Sequence, residues 1–169
     1  PDGLTCGEGL IMIGRENPGF AQTVEACMRT RTARCHCGQL EIRCTGEPRK
    51  ISLCHCTDCQ RRTGSAFSVA VFFSRDRVGS ARAVTRTFVR ESARGFPVTF
   101  HFCGACGSNV FWEPQRLPDL VGVAIGAFAD PDFPRPQQSV WTKDKHRWLE
   151  LPHDMAVYEL TPPPRRAQE

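Results

Sequence analysis

Seven of the ten cysteines stand in three tight groups. These are Cys35-His36-Cys37-Gly38, then Cys54-His55-Cys56-Thr57-Asp58-Cys59-Gln60, then Cys103-Gly104-Ala105-Cys106-Gly107. Close pairs separated by one or two residues make poor structural disulfides but good bidentate clamps on a metal ion. The spacing therefore points to zinc rather than to scattered core thiols. Gly107 supplies the positive φ that a Cys-x-x-Cys-Gly turn requires. A disulfide framework would need an oxidising compartment. A redox pair at Cys103 and Cys106 would be expected at a strand-to-helix junction, and no such pattern surrounds them.

Seven sulfurs divide naturally into four and three. A structural zinc is closed by four ligands, whereas a catalytic zinc keeps three protein ligands and an open position. The pairs Cys35/Cys37 and Cys103/Cys106 can close one tetrahedron and staple two distant segments. Cys54, Cys56 and Cys59 come from one short segment and leave a position for water or substrate. Other partitions remain open, and His36 or His55 is an alternative ligand, although a histidine between two ligating cysteines more often points away. Cys6, Cys27 and Cys44 fall outside the groups, and Cys44 suits a small apolar strand position.

The elements around these groups read as β. Gln39 to Cys44 alternates, as does Val84 to Arg90. Phe67 to Phe73 is a run suited to a strand buried on both faces. Val98 to Phe102 leads into the third cysteine group and Asn109 to Trp112 leads out of it. Leu120 to Phe128 is a further strand, with Gly122 and Gly126 marking bends or a close backbone approach. Val140 to Thr142 and Ala156 to Leu160 are short strands. Thr57 to Thr63 is helical, closed by Gly64, with Asp58 in its first turn where a negative charge suits the dipole. The fold class is mainly β: a single domain of sheets stapled by zinc, with one short helical turn.

Length and composition agree with one globular domain. The chain has 169 residues, 40% hydrophobic and 24% charged, close to the globular average. Three units follow: an N-terminal extension over 1–27, a zinc-binding domain over 28–160 and a disordered tail over 161–169. Met28 reads as the natural start. Residues 1–27 show no basic region followed by an apolar stretch, so no signal peptide is expected, and the longest apolar run, Val121 to Ala129, falls short of the ~20 residues of a membrane span. A soluble, cytoplasmic protein with reduced thiols is expected, and the sequence is silent on oligomeric state. The formal charge of +4 hints at nucleic acid, but metal-bound cysteines are deprotonated. Seven thiolates with two dications leave about +1, so nucleic-acid binding is not expected. The basic stretch Arg29 to Arg34 reads as a solvated end.

The motifs together resemble a known family. Cys-His-Cys-Gly, then Cys-His-Cys-x-x-Cys-Gln-Arg-Arg-Thr-Gly-Ser-Ala-Phe, then Phe-Cys-Gly-x-Cys-Gly-Ser look like the glutathione-dependent formaldehyde-activating enzymes, a family that also includes centromere protein V. Trp141 to Trp148 is similar to the end of that domain, and the likeness runs from Arg34 to Tyr158. The resemblance implies a β-rich, tent-like fold and two zinc ions. One would be structural, on Cys35, Cys37, Cys103 and Cys106. The other would be labile, on Cys54, Cys56 and Cys59, which would be the catalytic residues. It also implies a carbon–sulfur lyase that condenses glutathione, or a similar thiol, with formaldehyde or another small aldehyde. Arg61, Arg62, Lys143 and Lys145 are available to a glutathione carboxylate but read first as surface charges. Trp141, Trp148 and Phe67 can wall a pocket but read first as core. The rival reading is a non-catalytic, zinc-built interaction module, because a fold transfers more readily than a substrate.

Overall fold

The computed structural model describes residues 29–92 and 94–163, with 80–83 described as backbone alone. Among the described residues, eleven strands form two sheets. The smaller sheet has the order β1–β2–β5, from Thr30–Arg34 (β1), Leu40–Thr45 (β2) and Val78–Ala83 (β5). The larger sheet has the order β11–β10–β3–β4–β9–β8–β7–β6. Its central strands are β3 (Lys50–Cys54), β4 (Ser68–Ser74), β9 (Leu120–Ala124) and β8 (Asn109–Pro114). One flank is β7 (Pro97–Cys103) and β6 (Thr85–Glu91); the other is β10 (Gln138–Val140) and β11 (Ala156–Val157). Among the described residues there is one α-helix, α1 (Thr57–Thr63), which follows β3. No helix among the described residues is long and apolar enough to cross a membrane.

Alternation in the sequence sets the two faces of the large sheet. Ile51, Val71, Phe73, Val121 and Val123 point to one face and meet Ala33, Leu40, Ile42 and Cys44 of the small sheet, forming the main core. Cys44 is fully buried there, and burial pushes its thiol up to about 12. The opposite face carries a second apolar cluster: Ala70, Val98, Phe100 and Trp112, with Phe72 packed against it. Strand register lines up Phe88, Phe100, Trp112, Gly122, Phe72 and Lys50 across this face. Gly122 is required by the row. A Cβ there would lie 2.4 Å from the Trp112 indole, so the ring packs flat on bare backbone.

Several elements differ from expectation. The strand from Leu120 ends at Ala124, and Ile125–Phe128 forms a 3-10 turn. The strand expected at Val140 to Thr142 lies earlier, at Gln138–Val140, and the chain turns at Trp141. The last strand stops at Val157. The basic stretch read as a solvated end is instead β1. Arg31 is buried there, donating to the Gly46 carbonyl at 2.8 Å and to the Glu47 carboxylate at 2.9 Å. A charge is tolerated inside when it is paired in this way. Met28, Cys6, Cys27 and the extension over 1–27 lie outside the described residues, as do residues 164–169 of the tail.

Candidate active site

The first sulfur set is built by two hairpins. The β1–β2 turn brings Cys35 and Cys37, and the β7–β8 turn brings Cys103 and Cys106. All four Sγ atoms lie within 4.8 Å of one another. Cys37 Sγ is 3.6 Å from Cys35 Sγ and 3.6 Å from Cys103 Sγ. Four Zn–S bonds of about 2.3 Å in a tetrahedron put the sulfurs about 3.8 Å apart, so the set has the dimensions of a closed zinc site. A disulfide needs about 2.05 Å, and all eight described cysteines are free. Backbone amides point at the set: Leu40 N donates to Cys35 Sγ at 3.1 Å. The Ser108 hydroxyl, 3.3 Å from Cys106 Sγ, together with its backbone amide, lowers that thiol to about 5. Gly107 takes φ +73°, as the turn demands.

The second set holds three sulfurs. Cys54 ends β3, Cys56 is the N-cap of α1 and Cys59 lies in its first turn. Their Sγ atoms are also within 4.8 Å of one another, and Cys54 and Cys56 are 3.6 Å apart. Cys56 Sγ accepts from the Cys59 amide at 3.4 Å. Hydrogen bonding from Cys54, then from Cys59, holds the Cys56 thiol well below its usual range, and the same contact pushes Cys54 well above it. Crowded sulfurs share charge unequally in this way until a cation joins them. The donor set therefore fits a thiophilic dication, one ligand short of the first set. The segment folds as it does because Gly64 closes the helix in the left-handed region at φ +62°.

Neither histidine joins a set. His55 is fully buried, its Nε2 2.9 Å from Ser139 Oγ, and its ring packs edge-on to Phe67. Burial, then the nearby Lys145, lowers its pKa. His36 is exposed, and its backbone amide donates to Ser108 Oγ at 3.2 Å.

The trio opens into a groove of about 250 Å³ on the second apolar face. Its floor is Phe72, Phe100 and Trp112, with the two phenyl centroids 6.4 and 6.1 Å from the indole. Two arginines bridge floor and sulfurs. Arg62 of α1 lies over the Trp112 ring at 4.7 Å and bonds Ser68 Oγ at 2.7 Å and Asn109. Arg90 of β6 lies over Phe100 at 5.6 Å and pairs with Asp58 at 3.0 Å. At Cys59, hydrogen bonding from Cys54 lowers the thiol, but Cys56 and burial outweigh it and leave the thiol raised, with the Arg62 charge opposing them. At Cys56, the Arg90 charge adds to the lowering by hydrogen bonds from Cys54 and Cys59.

Gln60 ties the helix to the neighbouring loop. Its Nε2 donates to the His55 and Asp144 carbonyls at 2.6 and 3.0 Å, and its Oε1 is 3.0 Å from His146 Nε2. That loop presents Trp141 as a groove wall. Trp141 holds φ +57°, a left-handed conformation that costs a non-glycine residue roughly 1–2 kcal/mol.

The other sequence candidates are placed differently. Trp148 is 69% exposed and Phe67 packs on His55, so of the three aromatic candidates Trp141 alone lines the groove. Among the four cations, Arg62 alone lines it. Lys143 pairs with Asp144, and Lys145 donates to the Leu149 carbonyl. Sequence reasoning missed Arg90, Arg94, Arg116 and Lys50, all of which line the groove. The alternation of β6 offered a signal for Arg90 alone, by placing it on the face of Phe88.

A curated protein of Halomonas elongata, provisionally described as a glutathione-dependent formaldehyde-activating enzyme, is 27% identical over 123 residues, 69% of this chain and 78% of the relative. A crystal structure of a Rhodobacter sphaeroides protein is similar at 20% identity and a TM-score of 0.44, covering 62% of this chain and 91% of that one. The family model for glutathione-dependent formaldehyde-activating enzymes matches residues 30–144. The chain belongs to the family of glutathione-dependent formaldehyde-activating enzymes.

Proposed function

We propose that the chain is a zinc-dependent carbon–sulfur lyase that joins a glutathione-like thiol to a small aldehyde, or runs that addition in reverse. The observation that carries the reading is the unequal pair of sulfur sets: four sulfurs bind two hairpins together, while three stand at the mouth of a groove. Cys35, Cys37, Cys103 and Cys106 would hold a structural zinc. Cys54, Cys56 and Cys59 would hold a second, more labile ion, giving two per chain. Zinc bound at the trio would keep a thiol substrate ionised, the nucleophilic form at neutral pH.

The chain's own residues supply the rest. Arg62 and Arg90 put positive charge beside the sulfurs and would favour an anionic thiol over a neutral one. Phe72, Phe100 and Trp112 exclude water from one side of the reacting pair. Gln60 fixes the helix against the Trp141 loop and so fixes the mouth of the groove. The reaction forms one S–C bond; the carbonyl π bond opens, and the thiol proton ends on the new hydroxyl. The free state of the eight described cysteines suits a reducing compartment such as the cytoplasm.

Exchange NMR with glutathione and formaldehyde tests this. The zinc-loaded protein is expected to accelerate adduct exchange, and Cys56→Ser to abolish the acceleration while its far-UV spectrum stays native. A mild chelator should remove one of two zinc ions without unfolding. Exchange no faster with the protein than without it refutes the lyase and leaves the interaction module.

A further inference from the structure

Exposed apolar side chains gather at one edge of the large sheet. Among the described residues, Val84, Phe88, Val89 and Phe96 stand exposed on β6 and the chain just before and after it. Phe88 is 59% exposed and ends the row that runs from Phe72 through Trp112 and Phe100. An edge strand bares its backbone as well, and natural sheets blunt such edges with short strands, bulges, lysine or proline. The opposite edge obeys this, since β11 is two residues long. Strand β6 has seven residues, no bulge against β7, and neither lysine nor proline.

The backbone bonds show which groups face outward. Ser92 N donates to the Phe96 carbonyl at 2.8 Å and Gly104 N to the Val84 carbonyl at 3.1 Å. Both pairs continue the register that sets Thr85 opposite Cys103 and Glu91 opposite Pro97. In an antiparallel ladder every second residue bonds to the same neighbour, so Arg86, Phe88 and Arg90 bond to β7. Thr85, Thr87, Val89 and Glu91 turn N–H and C=O outward, and no strand among the described residues takes them.

We propose that the occupant of this edge is β6 of a second copy of the chain, antiparallel, with the two-fold axis at Phe88. That register alone engages all four outward residues of both strands. Thr85 meets the partner's Glu91, a hydroxyl beside a carboxylate. Thr87 meets the partner's Val89, and Phe88 meets the partner's Phe88; β-branched and aromatic pairs of this kind stabilise a sheet. The fourth pair, Arg86 with the partner's Arg90, would repel if both charges were bare. Arg90 is held by the Asp58 carboxylate at 3.0 Å and lies over Phe100. The strand is thus its own complement, as a two-fold interface requires. The axis stands perpendicular to the joined sheet, so the two grooves, each lined by its own Arg90, open on the same side.

Sedimentation velocity of the zinc-loaded, reduced protein between about 1 and 200 µM tests this. One strand pair is a small interface, so a dissociation constant on the order of 10 µM is expected. Phe88→Arg sets like charges at the axis and should weaken the dimer at least about tenfold. Val89→Pro removes an outward N–H and none that bonds to β7, so it should abolish the dimer while the far-UV spectrum and zinc content stay native. Val157→Arg, on the opposite edge, should change nothing. A dimer that persists in either β6 variant, or that is lost in Val157→Arg, overturns the proposal. A monomer at 200 µM also overturns it and leaves the edge to a different chain.

Discussion

Removing the four-sulfur set and removing the trio should cost unequal amounts of stability, and the difference follows from chain separation. Cys37 and Cys103 are 66 residues apart. In the chain-entropy treatment of a cross-link, closing a loop of that length restricts the unfolded chain by about 4 kcal/mol at 25 °C. Cys54 and Cys59 lie within one short segment, and the same treatment gives about 2 kcal/mol at most. Helix α1 already orders that segment, which lowers the figure further.

The double variant Cys37→Ser/Cys106→Ser is the clean perturbation. It leaves the buried Cys35 and Cys103 in the core and alters an exposed and a half-buried position. Two remaining sulfurs no longer hold the ion. The counterpart is Cys54→Ser/Cys59→Ser. Urea unfolding of zinc-loaded proteins should place the first variant at least about 2 kcal/mol below the second, or roughly 6 °C in Tm. Tighter ion binding by four ligands widens that gap. Equal losses, or a larger loss in the trio variant, would refute the assignment of the staple to the four-sulfur set.

Two further outcomes follow from packing and charge. Gly122→Ala puts a Cβ 2.4 Å from the Trp112 indole, about 1 Å inside ordinary contact. The ring is wedged between Phe72 and Phe100 under Arg62, so overpacking should cost about 1–3 kcal/mol in urea unfolding and shift the tryptophan fluorescence; an unchanged spectrum and stability would show that the indole does not pack there. Hydrogen bonding from Arg75, then from His101, holds the Glu113 carboxyl below the usual range. A carboxyl depressed in the folded state stabilises above its unfolded pKa of about 4.3 and loses that contribution as pH falls through the lower folded value. The stability difference between wild type and Glu113→Gln should therefore be full at pH 7 and shrink below about pH 4.3, and a pH-independent difference would contradict the pairing.

The sulfur groups are legible because metal clamping is local: spacing sorts seven cysteines into three groups, and the ligand number of zinc suggests four and three, the division in which the structure gathers them. Strands β2, β4, β7 and β8 were legible because each alternates or forms one apolar run. What failed depended on distant partners. Arg31 looks solvated until Glu47, sixteen residues on, comes into register beside β1. Strand β3 offers Ile51 and Leu53 to the core and turns Lys50, Ser52 and Cys54 to the groove, too short an alternation to stand out. Arg90 becomes a groove residue through Asp58, whose sequence position says nothing of β6. Trp141 reads first as core because no local pattern predicts a tryptophan in a left-handed turn.

The two sulfur sets also differ in what they bind together. Cys35 and Cys37 belong to the small sheet and Cys103 and Cys106 to the large one, so their cluster rivets two layers. The trio belongs to one strand end and the helix after it. On the proposed function, a descendant that lost Cys56 would forfeit the chemistry while keeping its shape, and one that lost Cys103 would forfeit both. Gene families with such a division can shed catalysis and survive as scaffolds, and the state of the middle cysteines is the first thing to inspect in each member.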